Sequence, residues 1–211
     1  IAAYDIDGDG FPELVATRPR AGCQDWYGRL CADLCWCRPL DARAGRWELF
    51  DIGQGSGDWI HGSLVGRILP GNGLALIAGY HDADGAQPHY PEIFEAPHDP
   101  RQQWRVRTLA PIAYDKEFVA ADLDRDGVVD IAAGPYWLRN RRDGSFEPRT
   151  VDAQPGRNIA RIACADIDND GWIDIVAAYE AVDYDKKVTS YVPLCWYVNP
   201  RNGTDAWERR V

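Results

Sequence analysis

The chain has 211 residues, of which 45% are hydrophobic, and a formal net charge of −10. This composition is sufficient for a packed core and excludes a disordered acidic chain. No apolar run reaches membrane-spanning length and the basic residues are dispersed, so we expect neither membrane insertion nor nucleic-acid binding.

Much of the acidity lies in three copies of one nine-residue pattern. Each copy has carboxylates at positions 1, 3, 5 and 9 and glycine at position 6. The copies, residues 5–13, 122–130 and 166–174, are named here the first, third and fourth Asp loops. Carboxylates so close together repel unless a cation neutralises them, and oxygen ligands suit a hard cation. The pattern therefore predicts three divalent ions, which would reduce the net charge from −10 to −4.

The EF-hand is the obvious alternative, because its loop also begins with D-x-D-x-D-G. That loop requires a bidentate Glu at position 12 and flanking helices. Position 12 is Ala16, Ala133 or Ala177 here, each within an apolar run of β type. The sequence therefore excludes an EF-hand at all three loops.

A second repeating signal lies downstream of each Asp loop. Trp36, Trp137 and Trp196 recur at one position of the repeat, which favours packing between repeats over a sugar platform. A further unit fills the gap between the first and third loops. Its apolar runs flank Gly71-Asn72-Gly73, where Asn-Gly predicts a hairpin turn and the missing carboxylates predict no ion.

Each unit predicts four short strands. In the third unit these are residues 118–123, 129–133, 136–139 and 146–151. Apolar residues occur in short runs rich in Val, Ile and aromatics, without helical periodicity. Repeated four-stranded units are typical of β-propeller blades. We therefore predict an all-β fold, a single β-propeller over residues 1–211 with four antiparallel blades at about 1–53, 58–111, 114–153 and 158–211.

The Asp loops, their flanking hydrophobic runs and the Trp-containing third strand resemble the FG-GAP-like or VCBS repeat family of integrin-α-like, calcium-binding β-propellers. The resemblance implies Ca²⁺ at three sites, with the backbone carbonyl of position 7 (Phe11, Val128 or Trp172) as a further ligand. The implied side-chain ligands are Asp5, Asp7, Asp9, Glu13, Asp122, Asp124, Asp126, Asp130, Asp166, Asp168, Asp170 and Asp174. Glu13 departs from the usual Asp, so the first site is expected to be looser.

Propellers of this family have about seven blades. The chain supplies four predicted units and contains no methionine. We therefore expect it to be part of a larger propeller.

Six cysteines are divided between a cluster and a separated pair. The cluster of Cys23, Cys31, Cys35 and Cys37 favours a loop disulfide among the first three over a zinc site, because neat C-x2-C pairs are missing. Cys164 and Cys195 fall on the first and third strands of one blade. With strands about 4.8 Å apart, an intervening strand keeps these thiols too far apart for a disulfide, so both are predicted to be free.

Candidate ligand-binding residues lie at the starts of the predicted inner strands. They are His61, Lys116, Glu117 and Arg157, which would ring the central channel of a propeller and could bind an anionic sugar. The alternative is that they are ordinary polar residues capping strand ends.

The favoured function is a secreted or periplasmic, calcium-stabilised propeller that binds carbohydrate or an extracellular protein through its loop-rich face, away from the Asp loops. Loops of this kind fill readily at extracellular calcium concentrations. Two alternatives stay open: a carbohydrate-active enzyme resembling a polysaccharide lyase and using His61, and a purely structural propeller. Binding is favoured over catalysis, but fold alone does not decide the function.

Overall fold

A computed structural model describes residues 2–24, 30–57, 59–81, 90–153, 159–179, 182–183, 188–189, 194–201 and 206–211. Eighteen β-strands and one 3-10 turn are found there, and none of these residues is α-helical. The strands form four four-stranded sheets and one two-stranded sheet, all antiparallel. Within the described ranges no helix is long and apolar enough to cross a membrane. The prediction of an all-β fold with four blade-like sheets is confirmed.

The first two sheets follow the order of the chain. The first contains β1 (Ala2–Tyr4), β2 (Glu13–Gln24), β3 (Leu30–Asp41) and β4 (Arg46–Gly53). The second contains β5 (Trp59–Leu69), β6 (Gly73–His81), β7 (Glu92–Glu95) and β8 (Arg105–Thr108), with the 3-10 turn Pro70–Asn72 between β5 and β6.

The third sheet also follows chain order. It contains β9 (Val119–Ala121), β10 (Asp130–Ala133), β11 (Tyr136–Asn140) and β12 (Phe146–Thr150). The observed strands begin and end within two residues of those predicted for this unit.

The remaining strands are β13 (Ile159–Ala165), β14 (Asp174–Tyr179), β15 (Val182–Asp183), β16 (Val188–Thr189), β17 (Leu194–Val198) and β18 (Glu208–Arg210). β15 and β16 pair with each other, and the other four form the fourth sheet in the order β13-β14-β17-β18. The blade limits predicted from the sequence, and their membership of a single propeller, stay predictions.

The chain divides into two compact units, Ile1–Asp115 and Lys116–Val211, each with two of the large sheets. In the first unit Trp36 is fully buried, and its indole Nε1 donates a hydrogen bond to the carbonyl of Pro100, 3.0 Å away in the neighbouring sheet. In the second unit the buried Trp137 packs edge-on against Trp207, with ring centroids 6.3 Å apart. The predicted packing role of the repeated tryptophan is confirmed at Trp36 and Trp137.

The hairpin turn of the second sheet differs by one residue from the prediction. The left-handed residues are Gly71 (φ 66°) and Asn72 (φ 63°), whereas Gly73 has φ −65° and pairs with Leu69. The predicted hairpin turn at Gly71-Asn72-Gly73 is therefore present, one residue earlier in the chain, because Gly73 already belongs to β6.

The cysteine predictions have mixed outcomes. Cys164 and Cys195 are both free, which confirms the prediction. They lie on β13 and β17, and the strand β14 separates them. Cys35 is also free, with its thiol directed at the carbonyl of Ala16 at 3.5 Å, so a disulfide that uses Cys35 is wrong. The side chains of Cys23 and Cys31 lie outside the described residues.

Candidate functional site

The three Asp loops occupy the same place in their sheets. Each connects the first strand to the second: β1 to β2, β9 to β10, and β13 to β14. The predicted position of the loop, as the hairpin between the first two strands, is confirmed.

Two left-handed residues coil each loop. Position 6 is glycine throughout, with φ of 89°, 82° and 88° at Gly10, Gly127 and Gly171. Position 4 is left-handed as well, at Gly8 (79°), Arg125 (57°) and Asn169 (60°). Glycine adopts this conformation without a steric penalty, and asparagine tolerates it better than most residues. The result is a tight coil that turns its acidic side chains inward.

The carboxylate at position 1 accepts backbone hydrogen bonds from its own loop. It accepts a hydrogen bond from the N–H of the position-6 glycine, at 3.2 Å for Asp5, 3.0 Å for Asp122 and 2.9 Å for Asp166. Its second oxygen accepts from a backbone N–H at position 4 or 5. The loop conformation is thus fixed by its own first acidic residue.

Three carboxylates converge in each loop. They come from positions 1, 3 and 9, and one oxygen from each lies within 4.8 Å of the other two. The groups are Asp5, Asp7 and Glu13; Asp122, Asp124 and Asp130; and Asp166, Asp168 and Asp174. Calcium–oxygen bonds of 2.3–2.6 Å place two ligands of one ion at most about 5 Å apart, so the spacing and the all-oxygen donors fit calcium.

The position-9 carboxylate is buried. Glu13, Asp130 and Asp174 are at most 1% exposed, and each accepts the backbone N–H of position 2, at 2.7, 3.3 and 3.2 Å. Burial raises the pKa of Glu13, and it raises the pKa of Asp130 to about 6. Loss of hydration disfavours the charged form, and a bound cation would offset that cost.

The position-5 carboxylate lies outside the converging group. In Asp9, Asp126 and Asp170 its Oδ1 accepts the N–H of position 7, at 2.8, 2.9 and 2.8 Å. The Trp172 N–H, followed by the Arg201 guanidinium, lowers the pKa of Asp170. The predicted ligand role of position 5, and of the position-7 carbonyl, stays a prediction.

Arginines next to the loops are a feature that sequence reasoning missed. Arg38 lies 3.5 Å from Asp7, and Arg139 Nε donates to Asp124 at 2.6 Å. Arg142 lies 3.4 Å from Asp126, and Arg201 contacts Asp170. Arg38 and Arg139 both stand two residues after the repeated tryptophan, and that recurrence was the signal available in the sequence. These guanidiniums neutralise part of the loop charge, so an arriving cation has to compete with them.

Two buried asparagines were also missed. Asn140 and Asn199 hold the same repeat position and are 4% and 3% exposed. Each donates its backbone N–H to the position-9 carboxylate of its own sheet, at 2.8 Å in both cases. Their side-chain nitrogens donate to the position-8 carbonyls of Val129 and Ile173, at 3.0 and 2.8 Å. They are positioning residues that attach each loop to its third strand.

His61 forms a close pair with an acidic residue. Its Nδ1 lies 2.8 Å from Oδ2 of Asp115, and the two side chains are 29% and 24% exposed. His61 occupies a register shift between Ile60 and Gly62, and bulges of this kind redirect a side chain. A Cβ on Gly79 would lie 2.4 Å from the Asp115 carbonyl oxygen, so glycine there permits the approach of Asp115.

The other predicted ligand-binding residues have different surroundings. The Glu117 carboxylate accepts the Ile162 N–H at 2.6 Å, which favours the structural alternative for this side chain. Lys116 is half-buried, and Arg157 lies outside the described residues. Whether these residues and His61 line a common channel stays a prediction.

A cleft of about 510 Å³ opens in the first unit. Its lining contains two guanidiniums, two carboxylates and two carboxamides, with apolar contributions from Leu34, Leu49 and Phe50. The polar residues are Arg18, Asp33, Asp51, Gln54, Arg101 and Gln103. Arg18 pairs with Asp33 across β2 and β3, whereas the first Asp loop ends at Glu13, at the start of β2. The cleft therefore lies beside the middle of β2 and the end of β4 rather than at the Asp loop.

Comparison with known proteins gives one family. Residues 122–177, from the start of the third Asp loop to the strand after the fourth, match the FG-GAP-like repeat. No curated protein gives a significant match to the chain. The resemblance inferred from the Asp loops is thereby confirmed, and the chain carries an FG-GAP-like repeat.

Proposed function

We propose that the protein is a calcium-stabilised propeller module that binds an extracellular carbohydrate in the cleft of its first unit. Three converging acidic groups support the calcium part, because each presents oxygens at a spacing that calcium accepts. The single observation that supports ligand binding is the polar cleft beside the middle of β2 and the end of β4.

The walls of the cleft are held in place by backbone contacts. The Trp104 N–H donates to the Ile52 carbonyl at 3.1 Å and fixes the segment that carries Arg101 and Gln103 against β4. The Ser56 N–H donates to Glu92 at 3.1 Å and fixes the linker that follows Gln54. A preformed site loses less conformational entropy on binding than a flexible one.

The chemistry of the lining favours a neutral sugar. Two guanidiniums and two carboxylates balance in charge, and Arg18 pairs with Asp51 at 2.8 Å. Guanidiniums donate hydrogen bonds, carboxylates accept them and carboxamides do both, and this mixture matches hydroxyl-rich ligands. Leu49 is 49% exposed and adds an apolar surface for the sugar ring. The volume lies within the range of small-molecule sites, about 300–1,000 Å³.

A glycan array tests the binding proposal. We expect retention on neutral oligosaccharides without product formation, and Arg101→Ala should weaken binding at least tenfold, about 1.4 kcal/mol. Arg105→Ala removes a 79% exposed arginine outside the cleft and is the matched control. No retention on any glycan, or equal binding by wild type and Arg101→Ala, would contradict the carbohydrate site. Retention only on a protein array would show instead that the ligand is a protein.

Secretion is part of the same proposal. Calcium loops with few ligands fill at the calcium concentrations found outside cells and less completely in a resting cytosol. Locating the natural full-length protein by fractionation of its source cells tests this, and retention in the cytosol would contradict it.

The His61–Asp115 pair favours one alternative, a carbohydrate-active enzyme. A carboxylate on Nδ1 orients an imidazole, which suits a general base acting beside a uronate. In that case His61→Ala abolishes turnover of an acidic polysaccharide, followed by absorbance of the unsaturated product, and leaves the fold intact. A folded wild-type protein that releases no product would exclude this alternative.

A further inference from the structure

One side chain connects the third and fourth Asp loops. The Asn199 amide nitrogen donates to the carbonyl of Leu123 and to that of Ile173, at 2.8 Å in each case. Leu123 is position 2 of the third loop, and Ile173 is position 8 of the fourth. Both amide protons are therefore used, one in each loop.

The connection extends to the converging carboxylates. The Leu123 N–H donates to Asp130 Oδ2 at 3.3 Å, and the Asn199 N–H donates to Asp174 Oδ1 at 2.8 Å. Asp130 and Asp174 are the position-9 members of their groups. Asn199 is 3% exposed, so water does not readily replace hydrogen bonds lost there.

A second contact joins the same two loops. The Arg125 guanidinium lies over the Trp172 ring, with Cζ 5.4 Å from the centroid. Arg125 is position 4 of the third loop, and Trp172 is position 7 of the fourth. This cation–π contact involves different residues from the asparagine bridge and depends on both loops being ordered.

We infer that the third and fourth loops are cooperative ion sites, in which an ion bound in one raises the affinity of the other. The inference rests on the proposed calcium binding. The first ion orders its own loop, and the two bridges extend that order to the second loop, which then loses less entropy when it binds. Repulsion between the two ions opposes this effect, and the measured coupling is the balance of the repulsion and the two bridges.

Terbium luminescence reports ions bound next to Trp172, which belongs to the fourth loop and contacts Arg125 of the third. Position 7 is Val128 in the third loop and Phe11 in the first. Titration of the folded chain with terbium, with excitation of tryptophan, is therefore fitted to two sites, and the site that Asp122→Asn retains is the fourth. Trp172→Phe should remove the signal and identify its source.

The coupling is measured by a double-mutant cycle. Asp122→Asn removes a ligand of the third loop, and we expect terbium affinity at the fourth loop to fall at least about fivefold. Asp143→Asn makes the same change of charge in an exposed turn of the same sheet and should leave the affinity unchanged. In the Asn199→Ala background, the effect of Asp122→Asn should shrink to less than about twofold.

Two results would overturn the inference. One is a fourth-loop affinity that stays the same or rises in Asp122→Asn, and the other is an equal effect of Asp122→Asn with and without Asn199. If Asp122→Asn does not fold, Arg125→Lys decides the question, because it keeps the charge and loses the planar stacking. Lower affinity in Arg125→Lys supports the coupling, and equal affinity overturns it. Absence of all terbium luminescence in the wild type would instead contradict the ion sites themselves.

Discussion

The second and third sheets connect their first two strands in different ways. Both have four antiparallel strands in chain order, but one begins with the three-residue turn Pro70–Asn72 and the other with an Asp loop. Leu74 and Asp130 hold the same position in their sheets. Leu74 lies two residues before Leu76, which pairs with Phe94. Asp130 lies two residues before Ala132, which pairs with Trp137. Leu74 and Asp130 are both buried, at 6% and 1% exposure.

The difference shows what each kind of hairpin requires. A buried leucine gains stability from leaving water, whereas a buried carboxylate loses hydration and needs a partner charge. The second sheet is therefore expected to be independent of ions and the third to depend on calcium. Four experiments test this difference between the two sheets, beginning with the one that should have the largest effect.

Removing a core aromatic from the second sheet should give the largest effect. Phe94 is fully buried, so Phe94→Ala should lower the free energy of unfolding by about 3–5 kcal/mol. Urea denaturation with and without calcium measures this, and calcium should not change the loss. Leu40→Ala, at a 61% exposed position outside the Asp loops, is the control. A loss of less than about 1 kcal/mol, the level of surface substitutions, would contradict this view of the second sheet.

Replacing the buried carboxylate of the third hairpin with leucine should remove the stabilisation of this hairpin by calcium. Asp130→Leu replaces a buried carboxylate with the residue type found at Leu74. A site filled at one hundred times its Kd contributes about 2.7 kcal/mol, and we expect that contribution of calcium to disappear. Without calcium the variant should still lose about 1–3 kcal/mol, because leucine cannot accept the hydrogen bonds of the buried N–H groups of Leu123 and Asn140.

Thermal melts of Asp130→Leu with calcium and with chelator check both expectations. Asp143→Leu, in the exposed turn between β11 and β12 of the same sheet, is the control. An unchanged calcium response in Asp130→Leu would show that the third loop does not bind the ion.

Glycine substitutions should separate backbone strain from ion binding. Gly71 (φ 66°) and Gly127 (φ 82°) are both left-handed, and an added Cβ meets nothing within 4 Å at either. In chelator, Gly→Ala should cost about 1–2 kcal/mol at each position through strain alone. With calcium, Gly127→Ala should show a further loss and Gly71→Ala should not. Equal losses at the two positions in calcium would argue against an ion in the third loop.

The smallest expected effect concerns thiol reactivity. Burial raises the pKa of Cys164 to about 12 and also raises the pKa of Cys35. The thiolate is the nucleophile, so at pH 8 both should resist alkylation in the folded protein, as measured by mass spectrometry. Chelator should increase their labelling, because both belong to sheets that contain an Asp loop. Rapid labelling of Cys164 in the presence of calcium would contradict the raised pKa of this half-buried thiol.

The sequence predicted the parts of this molecule that depend on local pattern. Short apolar runs and the Asp spacing located the third sheet within two residues, and the repeated tryptophan indicated packing. Relations between distant residues were harder to find. Asn140 and Asn199 look like ordinary polar residues after a strand, and only the folded sheet brings them to the position-9 carboxylates.

The directions of individual side chains were equally difficult to predict from the sequence. Position 5 looks like position 3 in the sequence, but the backbone turns Asp9 towards the N–H of Phe11 and away from the converging group. Glu117 looked like a channel residue, yet its carboxylate holds the Ile162 N–H. A nine-residue pattern shows that acidic residues are close together, and the positive φ angles decide which of them converge.

The central claim, that the three Asp loops are calcium sites, is tested most directly by counting bound ions. The chain would be dialysed to equilibrium against calcium at extracellular concentration, and bound calcium would be measured by elemental analysis. The account predicts three ions per chain, one for each converging acidic group, and two in Asp130→Leu. A folded chain that binds none would contradict it.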